Sequence, residues 1–127
     1  MSCLSGIRRE GENAYPNECC GFIFDNGELL PVVNAREASE RYHRFVITAE
    51  DFMRAELEAR RRKLDITGIY HSHPDHPAKP SDYDREHALP FYSYVIVSVE
   101  NGAAGDVTSW KLSDDRQSFL QEEITWL

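Results

Sequence analysis

Apolar residues in this chain fall into short runs, separated by segments rich in turn-forming residues or broken by proline. CCGFIF (19–24) is a short apolar run and YSYVIVSV (92–99) is the clearest strand in the sequence. Asp25-Asn26-Gly27 is a hairpin turn signal, so ELLPVV (28–33) is expected to return as a strand, with Pro31 marking a sheet edge. HRFVIT (43–48) and ITGIYHSH (66–73) read as further strands. VTSWKL (107–112) should pair with 92–99 across a loop containing Asn101-Gly102 and Gly105.

Between these runs the pattern turns helical. Residues 3–14 suit a short helix that ends at Tyr15-Pro16, because the residue before proline avoids the helical region. Thr48 is a good N-cap for a helix through about Lys63, with Asp51 three residues on in capping-box position. Ala49, Phe52, Met53, Leu57 and Leu64 give that helix an imperfect apolar stripe. Ser81 opens a further helix that ends before Pro90, and the last fifteen residues are expected to hold a helical turn and a terminal strand. Strands and helices alternate, which predicts an α/β protein: a mixed β-sheet with helices packed on it. A length of 127 residues suits one domain spanning 1–127.

Composition narrows the function classes. The chain holds 22 acidic and 14 basic residues, a net charge of −8, which repels nucleic acid and anionic membranes and makes neither a natural partner. The one basic run, Arg60-Arg61-Arg62-Lys63, falls at an expected helix C-terminus, where cations suit the dipole. Three cysteines, Cys3, Cys19 and Cys20, make no disulfide framework. Cys19 and Cys20 are adjacent on an expected strand, so they point to opposite faces and serve packing. The N-terminus lacks the apolar core of a signal peptide, and no apolar run has the length of a membrane span. These features predict a soluble protein of a reducing cytoplasm.

The chemistry is concentrated in HSHPDHPAKPSDYD (71–84), which holds three of the chain's five histidines, with three aspartates and three prolines. His71 and His73 are two apart on an expected strand, so they share a face at a spacing of roughly 6.6 Å along it. Two imidazoles leaning together from that spacing can reach one Zn²⁺. The prolines end the strand and stiffen the turn, which lets the following helix start come back over the histidines. Asp84, one turn into that helix, is placed to be a third ligand, leaving one position of a tetrahedral ion open as in catalytic sites. Ser81-x-x-Asp84 also resembles a capping box, with Asp84 folded back on the Ser81 amide. Competing zinc signatures such as His-Glu-x-x-His are absent.

The segment resembles the signature of the JAMM (MPN-plus) metallopeptidases: a distant Glu, then His-Ser/Thr-His-Pro, a short spacer and Pro-Ser-x-x-Asp. Here HSHP is 71–74, the spacer DHPAK is 75–79 and PSDYD is 80–84; NECCGF (17–22) and GIYHSHP (68–74) extend the likeness. It looks most like the short bacterial branch that processes ubiquitin-like sulfur carrier proteins. The resemblance implies a JAB/MPN (cytidine deaminase-like) fold and zinc held by His71, His73 and Asp84. It also implies Glu18 as the general base that takes a proton from water and passes it to the leaving amine. Ser81 would donate to the developing oxyanion. An N-terminal strand present in many relatives is expected to be missing, since the chain starts close to its first helix.

The reaction so implied is hydrolysis of the amide bond after the C-terminal Gly-Gly of a ubiquitin-like or sulfur carrier protein, and the reading leaves room for a homodimer. The chain is too short for the long insertions with which eukaryotic relatives grip ubiquitin chains. Two alternatives stay open: a zinc peptidase acting on cell-wall or small peptides, and a non-catalytic scaffold module. His76 and Lys79 lie in the loop beside the histidines, within reach of a substrate. His43 and His87 have no evident partner and read as structural.

Overall fold

The computed structural model describes residues 3–36, 40–41 and 44–124. Helix α1 (Cys3–Ala14) precedes the hairpin of β1 (Cys20–Phe24) and β2 (Leu29–Val32); α2 (Ala49–Arg62) follows, then β3 (Ile66–Pro74), α3 (Asp82–His87), β4 (Ser93–Glu100), β5 (Ala103–Leu112) and β6 (Phe119–Glu122). The strands form one sheet in the order β2-β1-β3-β4-β5-β6. Only β3 and β4 run parallel; the other neighbours are antiparallel. A parallel pair needs a crossover, and the segment carrying α3 supplies it. The mixed sheet with packed helices is therefore as the sequence predicts, and β2, with Pro31, is an edge strand.

Each face of the sheet carries its own core. Ile7 of α1 packs with Cys19, Ile23, Tyr70, Val95, Val97 and Val99 on one face. Ala55 of α2 packs with Cys20, Phe22, Ile69 and Tyr94 on the other. Adjacent Cys19 and Cys20 thus face opposite ways, as strand alternation requires. Helix α1 comes close because Gly11 has no side chain: a Cβ there would lie 2.9 Å from Val99. Among the described residues, no helix is long and apolar enough to cross a membrane.

Several local expectations are corrected. Phe45 to Thr48 form no strand, and His43 lies outside the described residues. The backbone there bonds to a side chain and a loop: Val46 N–H donates to Asn34 Oδ1 (3.1 Å) and Ala35 N–H to Val46 O (3.0 Å). Helix α2 is capped by Thr48 as expected, and Lys63 closes it in the left-handed region at φ 60°. Its stripe differs, however: Met53 and Leu57 are exposed, while Ala55 and Ala59 are buried and Phe52 packs onto the core. The inward face runs through Phe52, Ala55 and Ala59, and Met53 and Leu57 lie about a quarter-turn or more round the helix from it. The β4–β5 turn is only Asn101-Gly102, both at positive φ, and Gly105 lies within β5. The chain before β6 makes a turn at Ser113–Arg116 in place of a helical turn, with Arg116 N–H donating to Ser113 O.

Candidate metal centre

Strand β3 carries His71 and His73 on the α2 and α3 side of the sheet and Ser72 on the α1 side, where a Cβ on Gly11 would meet its Cβ at 3.5 Å. Both histidines are almost fully buried. Their Nε2 atoms lie 3.1 Å apart, and each lies 3.3 Å from Asp84 Oδ2. Donors held at about 2.0–2.1 Å by a tetrahedral ion stand roughly 3.3 Å from one another, so this triangle has the size a single cation needs. His73 Nδ1 is 2.8 Å from the Pro77 carbonyl. A carbonyl only accepts, so the proton sits on Nδ1 and the lone pair of Nε2 points into the triangle. Burial pushes the His71 pKa down, which favours the neutral, ligating form. His71 is also stacked on Phe45, with ring centroids 4.5 Å apart.

The capping-box reading of Ser81-x-x-Asp84 is realised, and the same carboxylate also faces the histidines. Ser81 Oγ accepts from Asp84 N–H (3.0 Å), and Asp84 Oδ2 accepts from Ser81 N–H (2.9 Å), a complete capping box at the start of α3. The oxygen that closes the cap is the one that faces both histidines. Burial alone would raise the pKa of Asp84, but the two histidines and the Ser81 amide hold it well below the usual carboxylate range. Capping uses Ser81 Oγ as an acceptor and leaves its O–H proton free to donate.

Glu18 joins the group from the other side. The antiparallel register of β1 against β3 pairs Cys20 with His71; continued two residues, it sets Glu18 across from His73. Cys19 N–H donates to Ser72 Oγ (2.8 Å) and Ser72 N–H to Cys19 O (3.3 Å), so the residue between the two histidines ties the chain next to Glu18 in place. Glu18 is 3% exposed, which excludes an exposed strand-edge glutamate. Its Oε1 has no hydrogen-bond partner. Glu18, His73 and His76 bring ligand-type atoms within 4.8 Å of one another. Burial and the charge of Asp84 push the Glu18 pKa up to about 9.

Two residues acquire roles that spacing did not reveal. Asn34, buried just beyond β2, donates from Nδ2 to Glu18 O (3.1 Å) and Arg44 O (2.9 Å). Its Oδ1 accepts from Arg36 N–H (3.0 Å) and Val46 N–H (3.1 Å). The only sequence signal is an asparagine after a strand, a residue type that readily bonds backbone in loops. His87, which had no evident partner in the sequence, stacks on Tyr83 (4.1 Å) and lines a cavity beside His71 and Asp84. Lys79 is exposed, and its backbone bonds to Pro77. The proline-broken loop is pinned through carbonyls, with Ser98 Oγ donating to His76 O (2.7 Å) and Thr108 Oγ1 to Ala78 O (2.6 Å).

The family model described as prokaryotic homologs of the JAB domain matches residues 2–113. A desampylase of Pyrococcus furiosus is 29% identical over 98 residues, which is 76% of this chain and 68% of that protein. A solution structure of a protein from Desulfitobacterium hafniense aligns over 96% of this chain and 86% of its own, with a TM-score of 0.80 and 25% identity. A solution structure from Salinibacter ruber aligns over 95% of this chain and 85% of its own, with a TM-score of 0.68 and 41% identity.

Proposed function

Because the chain belongs to the prokaryotic homologs of the JAB domain, within the JAMM/MPN family, we propose that it is a zinc-dependent peptidase or isopeptidase. Its substrate would be a ubiquitin-like or sulfur carrier protein, cut at the amide bond after the C-terminal Gly-Gly. The observation that carries this reading is the triangle of His71, His73 and Asp84 donors, beside a buried Glu18 whose Oε1 is unpaired. The likeness to a desampylase supports a hydrolase that separates a small modifier from its conjugate. A scaffold module would gain nothing from three converging donors and a buried, unpartnered carboxylate.

His71, His73 and Asp84 would hold the zinc. When bound, the metal lowers the pKa of a water and polarises a carbonyl oxygen. The chain's own residues then supply the proton traffic. Glu18 takes a proton from the attacking water and delivers it to the amine as the amide C–N bond breaks; the water's oxygen stays on the glycine carboxylate. Glu18 would act as the base in its carboxylate form, which positive charge held by His71, His73 and Asp84 would favour. Ser81, its Oγ held by the cap, donates to the developing oxyanion; one such donor is typically worth about 10²–10³ in rate. The single domain, with its free thiols, suits a reducing cytoplasm.

The test is Glu18→Gln. The variant should fold, keep its zinc and lose most turnover on a carrier fusion with a Gly-Gly junction, by about 10²–10⁴-fold. Near-full activity in that variant would show that Glu18 is not the base. Replacing the last glycine of the tail by valine should lower kcat/KM by roughly 10²-fold, about 2.7 kcal/mol. Equal cleavage at both junctions would move the reading to a general peptidase.

A further inference from the structure

A cavity of about 170 Å³ reaches His71 and Asp84, and Glu18, His73 and His76 are not among its lining residues. Phe45, Phe52, Ile69 and Tyr94 wall it, and His71 and Asp84 line its buried end. Tyr83 and His87, half-buried and exposed, bound it toward solvent. The catalytic steps above make no use of this space. A dry apolar cavity of about 150 Å³ accommodates a benzene molecule, so the room here suits one aromatic or branched aliphatic side chain. The walls are apolar, and polar groups are confined to the ends, the usual make-up of a site that reads an apolar group in a fixed orientation.

Arg44 stands at the same place. Its guanidinium lies 4.8 Å from the centroid of the Tyr83 ring. Arg36 also lies over that ring, at 5.6 Å, but it is paired with Glu40 at 2.5 Å and donates to Tyr83 Oη at 3.3 Å. Among the described residues, the Arg44 side chain has no carboxylate partner, although the chain carries a net charge of −8. Its backbone is nevertheless held on both sides: Arg44 N–H donates to Glu40 O (3.0 Å), and Arg44 O accepts from Asn34 (2.9 Å). A half-buried guanidinium on a fixed backbone, without a carboxylate partner among the described residues, is suited to take a carboxylate in a bidentate grip.

We propose that the cavity and Arg44 together read the residue released by the cut: a single carboxyl-terminal residue, with its apolar side chain in the cavity and its α-carboxylate on Arg44. Side chain and carboxylate branch from one Cα, and Tyr83 connects the two receptors, since its ring both lines the cavity and lies under Arg44. This inference rests on the peptidase reading for its choice of occupant. It assigns the enzyme to trimming of one apolar residue from a carrier tail, in preference to internal cleavage or removal of a large protein.

Product binding tests it without turnover. Zinc-loaded Glu18→Gln protein is titrated calorimetrically with phenylalanine, phenylalaninamide and aspartate. Phenylalanine should bind about tenfold or more tightly than its amide, as expected for losing a charge-assisted hydrogen bond, and aspartate should bind weakly. Arg44→Gln should erase the acid-over-amide preference, whereas Arg44→Lys should restore part of it. Equal binding of acid and amide overturns the role of Arg44, and equal binding of phenylalanine and aspartate overturns the cavity. With active protein, Gly-Gly-Phe fusions ending in a free acid should outpace Gly-Gly-Phe amides in kcat/KM by a similar factor. Cleavage that ignores the terminal group refutes the inference while leaving the peptidase reading standing.

Discussion

Cys19 and Ser72 hold each other by two hydrogen bonds, Cys19 N–H to Ser72 Oγ at 2.8 Å and Ser72 N–H to Cys19 O at 3.3 Å. This clasp sits one residue from Glu18 and between the two histidines, so it ties Glu18 to His71 and His73. Ser72→Ala leaves the buried Cys19 N–H without its side-chain acceptor, at a cost of about 1–3 kcal/mol. Urea unfolding should show that loss, zinc content should stay near that of the parent, and turnover should fall. A variant with full stability and full activity would remove the clasp from the argument.

Asp84 closes the helix cap and faces both histidines, and its capping duty can be separated from the metal-binding duty proposed for it. Asp84→Asn keeps an oxygen to accept from Ser81 N–H but gives up the charge that the cation needs. The expected result is α3 intact by amide exchange, with zinc affinity reduced by more than the 10–100-fold typical of residues that only orient a ligand. Asp84→Ala should lose both. Elemental analysis of the parent protein should give about one zinc per chain, and a parent free of zinc after reconstitution would count against the centre.

Glu18 predicts a pH signature in chelator-treated protein. Burial and Asp84 push its pKa from 4.5 to about 9, so the folded state keeps a proton that the unfolded state has released. The stability this contributes is full below about pH 4.5 and is lost progressively as the pH rises through about 9. Urea midpoints of the metal-free protein should therefore decline from about pH 5 to about pH 9, and Glu18→Gln should flatten the decline. Parallel profiles for the two proteins would rule out Glu18 as the source.

Asn34 joins Glu18 to the segment that walls the cavity. Its four hydrogen bonds reach Glu18, Arg36, Arg44 and Val46. Asn34→Ala strands those backbone groups, and a cost of about 1–3 kcal/mol or more is expected. Asn34→Asp keeps the acceptor for Arg36 and Val46 but loses both donors. Its activity should fall more than its stability, and a normal turnover number with a weakened fold would restrict Asn34 to a structural role.

Much of this protein is readable along the chain because it depends on local rules. Turn chemistry at Asp25-Asn26-Gly27, the Thr48 and Ser81 caps, and Pro31 at an edge all act within a few residues. So does the placing of His71 and His73 on one face, which follows from strand alternation alone. The stripe on α2 was legible only in part, since Phe52 packs inward while Met53 and Leu57 do not. Periodicity offers a stripe through Met53 and Leu57, whereas packing against the sheet selects the neighbouring face of Phe52, Ala55 and Ala59. Phe45 to Thr48 have strand-like composition, yet an Asn34 side chain takes the place of a strand partner.

What only the tertiary structure decided is which distant residues share the site. Spacing left Asp84 either a cap or a ligand; in the fold one oxygen faces both Ser81 and the histidines. Glu18 was named by resemblance, and nothing within its own neighbourhood separates it from an exposed glutamate. The register of β1 against β3 buries it and leaves its Oε1 unpaired. Asn34, His87 and Arg44 had no local signal, because their meaning lies in what the sheet and the 34–48 segment bring to them. Local propensity is set by neighbours in sequence, whereas register, burial and a shared cavity are set by packing between segments that the chain order keeps far apart.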